Sequence, residues 1–267
     1  MRYILTTLVI LSLSACSGAL KQKNDSAFPY QYNQQLATEK PIKRIILASS
    51  SFGRPPLIHL QKGDKRVKRY VKNYLEKHGY QILPSYQFDN AWKQSVRTFG
   101  HPFDPSTGKI DSVTWQQVMI NTAKTLRQQS NADAIVFADV IEHEAQHNTG
   151  IQHLARFNGV SRKPVLKRSG SDGVPLDFDW NQRVKAASLS VRVFTMNLDN
   201  ILFNNAGIDM TQYIDTKRST PAFARRKDIL KNESYIEGAI EIAFHPLIPM
   251  KYYPGEEQSY QTSDKPQ

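Results

Sequence analysis

His143, Glu144, His147, Gly150 and His153 fall at spacings that could hold a metal ion, in the stretch HEAQHNTGIQH. On a helix, imidazoles four residues apart project from one side and can share a zinc ion. A carboxylate between them can take a proton from zinc-bound water. A glycine three residues after the second imidazole lets the chain turn, so that a third completes a tripod with one position open. In that arrangement His143, His147 and His153 are ligands, Glu144 is the general base, and the reaction is peptide hydrolysis. On a strand the same residues read differently. His143 and His147 then share one side, His153 falls in a loop, and each ring is solvated or bonded to a nearby carbonyl, or holds a metal loosely without catalysis.

The residues upstream decide which element carries the motif. AIVFADVIE (134–142) is rich in β-branched and aromatic side chains and bounded by polar ones, which predicts a central strand. A helix predicted just before it, over about 113–129, leaves the sheet in need of that strand. The motif resembles the zinc signature of the metzincin proteases, and the resemblance implies a zinc peptidase. Ala145 stands where that family has a bulky apolar residue, and Gln146 where it has a small one. Met196, the candidate for the family's Met-turn, sits in VFTMNLD, which reads as strand and turn. The main expectation is therefore a strand with noncatalytic histidines and no cofactor. The alternative is a zinc enzyme.

The other elements follow from periodicity. KRIILAS (43–49) and YQILP (80–84) are short apolar runs and predict strands. Val67, Tyr70, Val71, Tyr74 and Leu75 share one face of a helix that Asp64 can start and Gly79 can end. Trp115, Val118, Met119, Thr122 and Leu126 share a face of the next helix, with Asp111 or Ser112 as its cap. AASLSVRVFT (186–195) alternates: Leu189, Val191 and Val193 point one way, Ser188, Ser190 and Arg192 the other. A turn at 196–200 leads into ILFNNAGI, making a hairpin. Ile236, Ala239, Ile240, Ala243 and Phe244 mark a last helix over roughly 227–244, closed by Pro246. The order β-α-β-α-β-β-β-α predicts a mixed sheet with about three main helices, α/β or α+β. It forms a single domain over 42–250, with two long loop insertions at 86–111 and 146–185.

KRIILAS, YLEKHGYQILP, NADAIVFADVIE, SLSVRVFTMNLDNILFN and YIEGAIEIAF, in that order, resemble a group of bacterial envelope lipoproteins. Their common core is that of the TolB N-terminal domain, and it is shared by the curli secretion lipoprotein and the lipoprotein activators of penicillin-binding proteins. The resemblance covers about residues 42–245. It implies a noncatalytic protein that binds envelope partners or forms envelope assemblies.

The N-terminus gives an address. One Arg precedes an apolar run from Tyr3 to Leu13, too short to span a bilayer, which predicts a signal peptide over 1–15. Leu13-Ser14-Ala15-Cys16 resembles the bacterial lipobox, which implies lipidation of Cys16, with acyl chains such as palmitate as the anchor. Ser17 after it implies sorting to the outer membrane, with the body facing the periplasm. Cys16 is the only cysteine, so no internal disulfide can form. Residues 16–41 are polar and aperiodic, a flexible tether, and 251–267 read as a disordered tail. The chain is 40% hydrophobic, enough for a core, and carries a formal charge of +11. Outside the inner membrane that charge points to lipid headgroups, cell-wall polymers or acidic proteins rather than nucleic acid. The expected partners are the membrane, through the lipid, and an envelope protein or cell-wall polymer.

Within the second insertion, Arg156, Arg162, Lys163, Lys167 and Arg168 form a candidate anion-binding loop beside Phe157 and His153. Asp172, Asp177 and Asp179 could pair with them instead. Phe178 and Trp180 alternate with acids as on an edge strand whose aromatics point inward. STGK (106–109) lacks the first glycine of a phosphate loop. No nucleophile elbow or dinucleotide fingerprint is present.

Overall fold

The computed structural model describes residues 30–48, 59–104, 106, 107, 109–147, 153–167, 174, 176, 178–217 and 220–254. The expected signal peptide, Cys16, Gly150, Arg168, Asp172, Asp177 and the tail from 255 lie outside them. The fold is mixed α/β, as the order of elements predicts.

From Tyr30 onward the chain is docked rather than free. β1 (Gln31–Tyr32) pairs antiparallel with a later strand, and Asn33 caps α1 (Gln34–Glu39) by accepting from the Leu36 N–H. The Tyr30 ring is buried edge-on against His245 and Tyr253. This corrects the expectation of a tether reaching to residue 41. Two aromatic rings give residues 30–32 something to bury, which a polar tether lacks.

β2 (Arg44–Ala48), α2 (Gln61–Lys77) and β3 (Gln81–Leu83) follow as a parallel β-α-β unit. α2 begins three residues before Asp64, which lies in its first turn and pairs with Lys68 instead of capping. α3 (Tyr86–Phe99) replaces the loop expected over 86–111, and Gly100, at φ +92°, ends it. α4 (Ser112–Gln129) is capped by Asp111, which accepts from the Val113 and Thr114 N–H groups. β4 (Ala134–His147) is a strand of fourteen residues that carries the first half of the histidine motif.

The second insertion is also structured. β5 (Ala155–Phe157) and β6 (Val160–Arg162) form a hairpin across Asn158-Gly159, both at positive φ, and β7 (Leu166–Lys167) follows. β8 (Val184–Thr195) and β9 (Asn200–Met210) are the expected hairpin. β10 (Gln212–Asp215) and β11 (Ala222–Arg225) join β7 in a small separate sheet. α5 (Glu233–Phe244) starts at an Asn232 cap, later than residue 227.

The main sheet runs β1-β9-β8-β4-β2-β3, parallel from β4 to β3 and antiparallel elsewhere. Alternate residues divide its two faces. Ile45, Val136, Leu189 and Val191 meet Val67 and Val71 of α2 and Ile236 and Ile240 of α5. Ile46, Ile135 and Phe137 meet Phe88 of α3 and Met119, Ala123 and Leu126 of α4. Burying each such side chain contributes about 1.5–3 kcal/mol.

At the far end of β4 the chain curls into a ring. β5 pairs with β4 at Gln146 and His147, and β6 pairs with β5. The turn then reaches β9: the Gly207 N–H donates to Asn158 O (2.8 Å), and the Arg162 Nε donates to Ile208 O (2.7 Å). Gly207 is required by this closure. A Cβ there would lie 2.3 Å from Val160 Cγ2 and 2.7 Å from Phe157 O, and a backbone atom cannot step aside cheaply. Gly207→Ala is expected to destabilise the fold by about 2–3 kcal/mol, read as a lower midpoint in urea unfolding.

Candidate functional site at the far end of the central strand

Because β4 is extended, its side chains alternate. His143, Ala145 and His147 share one side, and Glu142 and Glu144 point to the other. A helix would have set Glu144 beside both imidazoles; the strand turns it away from them.

Each motif residue has its own surroundings. His143 Nε2 lies 2.7 Å from Ser188 Oγ, and Asn158 Nδ2 donates to the same hydroxyl (2.9 Å), while the ring meets Phe157 edge-on. Ser188 sits beside His143 because β8 runs antiparallel to β4, and Asn158 arrives on the left-handed turn of the β5–β6 hairpin. Glu144 accepts from Arg183 (2.8 Å) and Lys185 (3.0 Å) on the open surface. Those bonds hold its carboxyl below the ordinary range, which suits a paired surface acid rather than a base.

His147 is buried, with 7% exposure, stacked on Phe223 (5.6 Å between centroids) and edge-on to Trp180 (5.4 Å). Neither of its ring nitrogens has a hydrogen-bond partner among the described residues. His153, held at φ +44°, stacks flat on the other ring of this group, Trp180, at 3.8 Å. Phe178 completes the cluster against Trp180 and Phe223. The expectation that Phe178 and Trp180 face inward therefore holds, although they lie in a turn region and not on a strand. Burial, and then the nearby His153, push the His147 pKa down to about 4.

The zinc tripod is not formed. His143 belongs to the Ser188–Asn158 network, while His147 and His153 belong to the aromatic cluster. Among the described residues no three histidine, cysteine or acidic side chains converge as a metal site. The anion-binding loop is dispersed as well. Arg162 is spent on Ile208 O and lies 3.8 Å over the Tyr235 ring. Lys167 donates to Tyr213 Oη (3.3 Å), Arg156 belongs to β5, and Lys163 follows β6. The insertion folds as strands, so its cations radiate instead of lining one concavity.

A cluster the sequence reading missed lies on the other side of β4. Glu142, its side chain 10% exposed, accepts from Thr211 Oγ1 (2.6 Å) and lies 3.1 Å from His59 Nε2, with Arg225 at 4.0 Å. Arg225 also contacts His59 Nδ1. A guanidinium can only donate, so Nδ1 accepts and the ring proton sits on Nε2, directed at Glu142. Burial opposes ionisation of Glu142, but the bonds from Thr211 and His59 and the Arg225 charge outweigh it, so the carboxyl sits below the usual range. This is a carboxylate–histidine pair whose outer nitrogen is already occupied. The arrangement pins the start of α2 and β11 to β4. Beside it, Asp209 is buried against Arg226 (2.9 Å), which also holds Asp228 (3.1 Å); burial raises the Asp209 carboxyl above its ordinary range. Apart from Asp228, two residues from Arg226, nothing local in the sequence marks these partners, which are 17 to 166 residues apart.

Comparison with protein-family models, with curated proteins and with solved structures returned no match.

Two outcomes follow from this geometry. His147 is held neutral in the fold and protonates near pH 6.5 when unfolded. Its contribution is therefore complete above about pH 6.5 and is lost as pH falls toward about 4, to a maximum of roughly 3 kcal/mol. His147→Phe should flatten urea midpoints across that window. Glu142→Ala leaves His59, Arg225 and Thr211 without their acceptor and is expected to cost about 3 kcal/mol by the same measurement; Thr211→Val in addition should cost less than it does alone.

Proposed function

We propose that this protein is a lipid-anchored component of the bacterial outer membrane. Its basic α/β body faces the periplasm and acts by binding an envelope protein or cell-wall polymer, without catalysis. The observation that carries the proposal is Leu13-Ser14-Ala15-Cys16, an acylation signal after a short apolar run, with the chain's single cysteine where a lipid would attach. Three observations support it. The formal charge of +11 suits a surface that meets anionic envelope material. No helix among the described residues is long and apolar enough to cross a membrane, so a Cys16 lipid would supply the attachment. Of the one hydrolytic motif, His143, Glu144, His147 and His153 are engaged in separate internal contacts.

Within the fold, β2-α2-β3, α4-β4, β8-β9 and α5 follow one another in the order on which the sequence resemblance rests, with α3, β5–β7, β10 and β11 between them. The apolar side chains most open to solvent include Val113 (64% exposed) and Ile120 (52%) on α4, which makes that helix a place to look for a partner. In cells grown with an alkyne palmitate analogue, wild-type protein should take up label and sediment with outer membranes, and Cys16→Ser should do neither. An unlabelled, freely soluble wild type would end the proposal. A photo-crosslinking residue at Val113 or Ile120 should give a discrete adduct with an envelope component.

A further inference from the structure

We infer that the crevice at the carboxyl ends of β2 and β3 binds a small organic anion with an apolar body, its charged group set against Lys68, Arg69 and Lys72. The inference rests on topology, shape and charge, and it does not depend on membrane anchoring. β2 and β3 are parallel neighbours. The chain from β2 enters α2, which packs on one face of the sheet. The chain from β3 enters α3, which packs on the other. The strand order reverses at β2, with β3 on one side of it and β4, the next strand of this sheet in sequence, on the other, and ligands of open α/β sheets bind outside the carboxyl ends of the strands at such a reversal.

The gap here is a cavity of about 660 Å³. Its floor is apolar, built from Leu47, Val71, Ile82 and Ala138. One wall is the α2 flank with its three cations. The other is the first turn of the fourteen-residue α3, whose Ser85 makes no side-chain capping bond, so the positive end of the helix faces the cavity without that acceptor. Tyr86, 60% exposed, stands at the rim.

Among the described residues the acids beside these cations are Asp64, Glu76 and Asp89. Asp89 lines the cavity from α3. Lys68 pairs with Asp64 (2.8 Å) and Lys72 with Glu76 (3.7 Å), both i,i+4 pairs along a partly exposed helix surface, which an incoming anion displaces readily. An inorganic anion alone would leave the apolar floor wet, and a neutral amphiphile would make no charge contact with the cations. The two halves together select a phosphate, sulfonate or carboxylate joined to an apolar group. The volume falls within the range of ordinary small-molecule sites.

The test uses purified full chain carrying Cys16→Ser, so that no detergent is needed, and decyl phosphate below its micelle concentration, titrated by calorimetry. One saturable site is expected, roughly tenfold or more tighter than for decyl maltoside, and millimolar inorganic phosphate should compete only weakly. The combined variant Lys68→Ala, Arg69→Ala, Lys72→Ala should weaken binding by roughly tenfold, while Lys93→Ala, Lys109→Ala, Lys124→Ala, with the same loss of charge elsewhere, should not. Tyr86→Trp should report saturation by a change in emission. Equal affinity for decyl maltoside, equal weakening by both triple variants, or no saturable binding in a protein of unchanged circular dichroism would each overturn the assignment.

Discussion

A fourteen-residue strand, paired along most of one edge and at the two ends of the other, is the constraint around which this body is arranged. β4 meets β8 over a register running from Ala134↔Thr195 to Ala145↔Val184, and at its start it also meets β2. Ile135, Val136 and Phe137 must then be covered from above and below, which is why α2 and α5 occupy one face and α3 and α4 the other. β2 pairs with β4 only as far as Phe137, and β5 rejoins that edge at Gln146. In the interval the strand has no strand partner on that side among the described residues, and the polar side chains Glu142 and His143 fall there. Thr211, His59 and Arg225 are drawn in to satisfy Glu142, and Ser188 and Asn158 to satisfy His143. The polar chemistry at this end follows from the reach of the strand beyond its neighbours.

The same strand explains how a zinc-like spacing arises without a zinc-like geometry. Positions i and i+4 lie on one side both of a helix, with its period of 3.6, and of a strand, with its period of 2. His143 and His147 therefore fit either element. The discriminating residue is Glu144, which a helix places beside them and a strand places behind them. Its neighbours settle the matter: Ile135, Val136, Val140 and Ile141 favour an extended backbone, and pairing with β8 makes that preference cooperative.

Much of the central sheet and its helices is legible in local patterning. β2, β3, β4 and the β8–β9 hairpin carry continuous or alternating apolar runs, and α2, α4 and the core of α5 carry a helical stripe. α3 was hidden because its buried stripe, Phe88, Ala91 and Ser95, is short and includes a serine that donates to Ala91 O within the helix. Gly100 at its end was the available signal. The β5–β6 hairpin had a clearer one in Asn158-Gly159, a pair suited to a two-residue turn with both residues at positive φ. β10 and β11 are four residues each and take their form from pairing, which no window of sequence contains. The Glu142 cluster was invisible for a related reason: His59 and Thr211 lie 83 and 69 residues away, and only the closed fold joins them.

The basic composition divides in a way that bears on binding. Several arginines are consumed as internal fasteners: Arg44 on Asp133, Arg66 on Leu230 O, Arg162 over Tyr235, and Arg226 between Asp209 and Asp228. Their planar, multi-donor heads suit that work. Lysines, with a single hydrated charge, are left outward, and α2 alone carries Lys62, Lys65, Lys68, Lys72 and Lys77. Its inner residues Val67, Val71 and Leu75 are fully buried, so the helix is fixed to the sheet along its length. Cations mounted on a rigid helix lose less freedom on meeting an anion than cations on a loop. Selectivity for charge is thus set by the packing of the apolar face of α2, not by the total charge of the chain.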